Sequence, residues 1–178
     1  LDPEHRPRLV QAALVTVRHQ DTGRAIELLR VPVDDCRRGD DAAGPYWSIR
    51  TLNLKKGEDP VLRTVTVRPD PDTRLCPVAA LDRLLAEHNA SGHSGLLLPT
   101  RENTQLGLSN TAHRLARNAT DAGLDGAGMG NRALRVGHAN QALDEGKTLN
   151  QVQEQLDHAH PDTTLIYLRG TKRYMLDL

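Results

Sequence analysis

The segment LDHAHPDTTLIYLRG, residues 156–170, sets an imidazole at His158, paired hydroxyls at Thr163 and Thr164, and a phenol at Tyr167 close together, in a chain with three tyrosines and no phenylalanine. A tyrosine in a short apolar run is ordinarily a packing residue. As a nucleophile it has other needs. A phenol titrates near pH ~10, so attack at neutral pH requires a base or concentrated positive charge beside it. Against a phosphodiester, the transition state gathers negative charge on the non-bridging oxygens. Planar, permanently charged arginine holds such oxygens in paired hydrogen bonds better than lysine does. The leaving alkoxide needs a proton, which lysine or histidine supplies. The chemistry therefore asks for two arginines, a histidine and a lysine on elements able to converge on Tyr167.

Residues 131–167, NRALRVGHANQALDEGKTLNQVQEQLDHAHPDTTLIY, carry such groups in a specific order. Arg135 is followed by Gly137, Ala139 and a helix-ending Gly146; then come Leu156, Asp157 and His158, the Thr163–Thr164 pair, and Tyr167 nine residues after His158. This resembles the C-terminal half of the tyrosine recombinase (phage integrase) catalytic domain, which carries HxLRHxxAT, a glycine ending that helix, and a second helix running into LGHxxxxTTxxY. Upstream, TGRAIELLRVPVDD is similar to the family's TGxRxxEL segment. It offers Arg24, with Glu27, Leu28 and Asp35 following, although one residue is missing between Gly23 and Arg24. Arg18 and Arg30 are the alternatives. The family's catalytic lysine lies in a hairpin turn after this motif; LKKGEDP fits, with Lys56 favoured over Lys55. RLCPVAALDRLL resembles the segment after that hairpin.

The resemblance implies a mostly helical α+β fold, the tyrosine recombinase catalytic fold with its small antiparallel sheet. It implies that Tyr167 attacks a scissile phosphate to give a 3′-phosphotyrosyl bond. Arg24, Arg135 and His158 would hold the non-bridging oxygens, and Lys56 or Lys55 would protonate the leaving 5′-oxygen. It implies no cofactor and no metal, double-stranded DNA as partner, and a homotetramer on paired DNA sites. Residues 1–178 would be the catalytic domain, with a core-binding domain upstream. The location would be the cytoplasm and nucleoid in a bacterium, or the nucleus in a eukaryote. Two positions depart from the family pattern. The first His of HxLR is Arg132, a cation that cannot act as a base at neutral pH, in a supporting role. Asp157 replaces glycine beside His158 and sets a carboxylate next to the phosphate site.

Stepping along the chain, the elements that must position these groups are legible from periodicity. Leu9, Val10, Ala13, Leu14 and Val17 recur at helical spacing, behind Asp2 and Pro3 as cap and first-turn proline. RAIELLRV reads as a short helix stopped by Pro32, and DDCRRGDDAAGP as a loop. YWSIRTLNL and VLRTVTV read as a hairpin around KKGEDP, and RPDPDTRLCP as a connection. VAALDRLLAEHN is a helix with Leu81, Leu84 and Leu85 on one face; SGHSG ends it and LLLP is a short buried run. SNTAHRLARNATDAGL carries a stripe of Ala112, Leu115, Ala116 and Ala119, and GAGMG is a break. NRALRVGHANQALDEG is a helix ended by Gly146. Thr148 and Gln151 form a capping-box pattern, and Asp162 is placed to cap the helix bearing Tyr167.

Composition sets outer bounds. The 178 residues fit one domain able to bury a core, built from Leu, Val and Ala because aromatics are scarce. The sequence starts at Leu1, so a longer parent is expected. Lys plus Arg and Asp plus Glu both number 23, a balance that weighs mildly against a nucleic-acid partner. The charge is uneven, however: acidic pairs cluster over 34–72, and basic residues are richer over 101–147 and in LRGTKRY. Cys36 and Cys76 fit no metal spacing and read as free thiols. No apolar run is long enough to span a membrane, and no signal-peptide pattern is visible in these residues. His158 and His160 lack the further ligands of a metal site. Tyr174 falls outside the matched spacing and reads as an anchor of the tail. Two further function classes remain: a DNA-binding relative that has lost catalysis, and a helix-turn-helix regulator whose second helix reads bases with Asn150, Gln151 and Gln153.

Overall fold

The computed structural model describes residues 5–20, 24–53, 59–73, 76–158 and 160–168, with the side chains of 5–7, 11, 18–20 and 168 left out of the description. Helix α1 (His5–Gln20) buries Val10, Ala13, Leu14 and Val17, the stripe its spacing predicts. A single turn, α2 (Ala25–Leu28), follows. It is shorter than the sequence suggests: Leu29 and Arg30 already form a turn, and Pro32, with no N–H to continue a helix, makes a bridge to Leu96 instead.

Three antiparallel strands come next, β1 (Cys36–Asp41), β2 (Gly44–Asn53) and β3 (Val61–Val67), in the order β1-β2-β3. The segment DDCRRGDDAAGP is thus not a loop. After a 3-10 turn over Val33–Asp35 it supplies an edge strand and a tight turn. Its exposed Arg37, Arg38, Asp40 and Asp41 gave it the composition of a loop, but charge on an edge strand is a common guard against further pairing. Pairing with β2 and ion pairs overrode the weak propensity. Arg68 holds Asp41 through two bonds of 3.0 and 2.8 Å, Asp41 accepts the Ala43 N–H at 2.9 Å, and Gly44 takes φ +96° to close the turn.

The period-two alternation of β2 decides what the sheet presents inward. Trp47, Ile49 and Thr51 are buried, opposite Val67, Val65 and Arg63 of β3. The inner face is apolar at one end and turns polar toward Thr51, Asn53 and Arg63. The apolar end packs on helix α3 (Pro77–Ala90), whose Leu81, Leu84 and Leu85 are buried together with Leu97 and Leu98 from the LLLP run. Asp82 of α3 accepts the Trp47 Nε1–H at 2.7 Å and Arg38 Nε–H at 3.0 Å, bracketing the helix to two strands.

Helix α4 (Leu108–Asp121) carries the predicted stripe, but Ala112, Leu115, Ala116 and Ala119 are only half-buried, and Thr111 is the helix's one buried residue. Small side chains on a helix that crosses the surface cannot reach far into a core. Helices α5 (Ala133–Asp144), α6 (Leu149–Gln155) and α7 (Pro161–Leu168) form a second packed group around Ala139, Ala142, Val152 and Leu156. Helix α1 packs against both α3 and α5 and so links the two clusters. Asp162 lies in the first turn of α7, after Pro161, rather than at its cap, because Pro161 takes the first helical position.

The Asp82 bracket yields a stability test. Asp82→Ala strips a charged acceptor from a buried indole N–H, so it is expected to cost about 2 kcal/mol, with Asp82→Asn costing less. Urea denaturation followed by fluorescence of Trp47, the only tryptophan, reads both.

Candidate active site

Arg24 immediately precedes α2, and Glu27 sits at the third helical position. The Glu27 carboxylate, 3% exposed, accepts the Arg24 backbone N–H at 3.2 Å and Arg24 Nη1 at 3.3 Å. It also pairs with Arg63 Nη2 at 3.2 Å. Thr51 Oγ1 donates to the Glu27 carbonyl at 3.0 Å and locks α2 onto β2. A buried carboxylate left alone would be costly; two guanidiniums and a backbone amide satisfy it. From β2, the Asn53 side chain accepts a second bond from Arg24 Nη1 at 3.2 Å.

The other half of the site comes from the ends of helices. Gly146 closes α5 at φ +88°. The Lys147 N–H bonds the Ala142 carbonyl at 3.0 Å and the Gly146 N–H bonds Leu143 at 2.9 Å, the paired bonds of a Schellman ending. Thr148 and Gln151 then open α6 with the reciprocal bonds of a capping box, 3.3 and 2.8 Å. Helix α6 ends in the same way as α5: His158 N–H to Gln153 at 3.1 Å and Asp157 N–H to Glu154 at 3.0 Å. Asp157 holds the left-handed position at φ 51°, a conformation that glycine enters freely and aspartate tolerates. Gln153 Nε2 returns to the His158 carbonyl at 3.0 Å.

Three groups gather around Tyr167. A guanidinium N–H of Arg135, 8% exposed, donates to the Tyr167 hydroxyl, and another donates to the Leu156 carbonyl. Arg132 Cζ lies over the Tyr167 ring, 5.2 Å from its centroid, a cation–π distance. The His158 ring meets Tyr167 edge-on at 5.2 Å, and its Nδ1 is 2.9 Å from Thr164 Oγ1. The threonine pair divides: Thr164 is fully buried on the Tyr167 face of α7, while Thr163 is exposed. Arg24, Glu27, Asn53, Arg63, Arg135 and Asp157 line one small hollow. Its volume is about 20 Å³, room for roughly one water.

The electrostatics reflect this crowding. Burial lowers the Arg135 pKa and Arg24 lowers it further, while Tyr167 and Glu27 oppose the shift. The His158 pKa is lowered first by burial, then by Arg135 and Arg24; Asp157 works the other way. His158 is therefore a neutral imidazole at pH 7.

Of the residues singled out from sequence, Arg24, Arg132, Arg135, His158 and Tyr167 come together. Lys55, Lys56, Gly23 and Tyr174 lie outside the described residues, as do Asp2 and Pro3. Arg30 is exposed in the turn after α2 and does not line the hollow; the Arg18 side chain is not described. Asn53 and Arg63 were missed by sequence reading. The available signal was the alternation of the hairpin, which puts both on the inner face with Thr51. Among the described residues, no three His, Cys, Asp or Glu side chains gather as a metal site.

No family model matches the sequence, and no curated protein matches it. Solved structures do. The chain is similar to the XerH site-specific recombinase bound to palindromic difH substrate in a post-cleavage complex, with TM-score 0.68, 21% identity, 95% of this chain and 44% of that one covered. It is similar to XerA recombinase, with TM-score 0.63, 20% identity and coverage of 94% and 57%. It is also similar to the Tn1549 transposon integrase in complex with a circular intermediate DNA, with TM-score 0.56, 11% identity and coverage of 87% and 52%. The α+β fold is that of the tyrosine recombinases, and this chain spans less than half the length of XerH.

The depressed His158 pKa has a definite sign for stability. As pH falls below 6.5, its ordinary value, the unfolded chain takes up a proton before the folded one does. The stability that His158 contributes is thus present above that pH and is lost as pH falls through the folded pKa. Proton NMR of the His158 ring should give a midpoint below 6.5; Asp157→Ala should push it lower still, by removing a neighbouring carboxylate that favours the charged ring.

Proposed function

We propose that this chain is the catalytic domain of a site-specific tyrosine recombinase. The observation that carries the reading is the convergence of Arg135, Arg132 and His158 on the single phenol of Tyr167, with Arg24 lining the hollow beside it. The Tyr167 oxygen attacks the scissile phosphorus, and the bond from phosphorus to the 5′-oxygen breaks. A 3′-phosphotyrosyl link forms, and the departing 5′-oxygen takes a proton from Lys56 or Lys55. Arg24 and Arg135 hold the non-bridging oxygens, where fixed donors lower the barrier most. His158, neutral and oriented through Thr164, offers its remaining ring nitrogen to the phosphate or to the proton of the phenol. Attack by a freed 5′-hydroxyl on the phosphotyrosyl link restores a phosphodiester, so strand exchange needs no external energy source.

Double-stranded DNA as partner and assembly into a tetramer on paired sites belong to the same proposal, as does a core-binding domain upstream of residue 1. The neighbours' own DNA complexes support the first. The helix-turn-helix reading is weaker. Gln151 is engaged with Thr148 and Gln153 with the His158 carbonyl, which leaves Asn150 as the exposed polar side chain of that trio with no such role. A binding-only relative is the competing reading that the two departures, Arg132 and Asp157, favour.

A nicked suicide duplex bearing the cognate site decides between them. The wild-type parent is expected to form a covalent adduct that survives denaturant, and Tyr167→Phe to form none while still binding DNA. Arg135→Ala should slow adduct formation about 100-fold or more. Salt-sensitive DNA binding with no adduct from the wild type would establish the binding-only relative instead.

A further inference from the structure

The side chain at position 157 is not explained by the turn it occupies. Gly146 ends α5 with the same pair of backbone bonds and the same left-handed conformation, and it has no side chain at all. Aspartate is also the wrong charge there, because the carbonyl end of a helix disfavours an anion. What offsets this is lateral. Asp157 lines the hollow with Arg24, Arg63 and Arg135. Its Oδ2 accepts a 3.3 Å bond from Asn53 Nδ2, while the Asn53 oxygen accepts from Arg24. A carboxylate and a phosphodiester ask for the same donors, and the hollow at about 20 Å³ is too small for both.

We infer that the Asp157 carboxylate is a built-in competitor for the phosphate seat, an anionic latch that holds the Arg24–Asn53 face closed until a phosphodiester displaces it. The inference rests on the strand-transfer reading only for its consequence, slower cleavage; the competition for an anion stands on geometry alone. On displacement, the carboxylate leaves the hollow and Asn53 is released.

Asp157→Asn is the discriminating variant. It keeps the shape and the left-handed tolerance and removes the charge. Titration of the chain with inorganic phosphate, followed by calorimetry, should show about tenfold tighter binding, the scale of one close charge–charge term near a protein surface. The double variant D157N/R135A should lose that gain, and Asp157→Gly should bind phosphate as tightly as Asp157→Asn. In the suicide-duplex assay, D157N should form adduct faster than wild type. If D157N binds phosphate no tighter, or if the gain survives R135A, the latch is wrong. If phosphate binding tightens but no variant, nor the wild type, forms adduct, the latch stands and strand transfer falls. If the wild type forms adduct while D157N gains neither affinity nor rate, strand transfer stands and the latch falls.

Discussion

Everything at this site depends on keeping like charges together. Arg24, Arg63 and the Arg132–Arg135 pair come from three places in the sequence, and bare guanidiniums brought together repel. Glu27 is the group that makes the assembly possible. It is buried, holds Arg24 and Arg63 at 3.3 and 3.2 Å, and is fixed in turn by Thr51. Removing one partner from a buried ion pair costs about 3–5 kcal/mol because the other charge is stranded. The triad is therefore a unit, and it ties α2, a single turn, to β2 and β3. Arg135 is handled differently. It bonds a carbonyl at the end of α6 and the Tyr167 hydroxyl, and it shares the small hollow with the Glu27 and Asp157 carboxylates.

The architecture divides this work between a sheet and three short helices. The sheet turns from apolar to polar along its inner face, so one end is core and the other end is site. The helices deliver side chains from their ends rather than their middles: Arg132 and Arg135 at the start of α5, Asp157 and His158 at the finish of α6, Thr164 and Tyr167 one turn apart on α7. End positions are set by caps, and caps are set by a few residues, here Gly146, Thr148 with Gln151, and Asp157. The His158 backbone is bonded on both sides, and its ring is fixed by a buried hydroxyl. That leaves one imidazole nitrogen with a direction but no partner inside the fold among the bonds described.

How much of this was legible beforehand follows from the range of each determinant. The Gly146 ending, the Thr148–Gln151 cap, the α1 and α3 stripes and the β2–β3 hairpin are encoded within a few residues, and they could be read from spacing. The gathering of Arg135, His158 and Tyr167 was legible only as an ordered pattern shared with a known family, because no local rule brings residue 135 to residue 167. Strand β1 was unreadable as a strand: its charges suit an edge, and an edge with exposed charges has the composition of a loop. Asn53 and Arg63 were hidden for a different reason. Each sits in a hairpin whose alternation is clear, but which inner-facing pair is core and which is site depends on where α3 ends and α2 begins. The half-buried stripe of α4 shows the converse, a clear period with no deep partner.

The two departures from the family pattern gain meaning when taken together. Arg132 puts a permanent cation over the Tyr167 ring where the family has a histidine. Asp157 puts an anion where the family has a glycine. One adds positive charge to the cluster and the other offsets it, so the net charge of the surroundings changes less than either substitution alone would cause. The arrangement of charge does change. Positive charge is moved toward the phenol, and negative charge toward the seat between Arg24 and Arg135. A site arranged in this way holds its arginines in place without a ligand, at the cost of competing with one. In the reaction proposed above, any proton exchange beside Tyr167 would fall to His158, since an arginine at position 132 cannot exchange a proton at neutral pH.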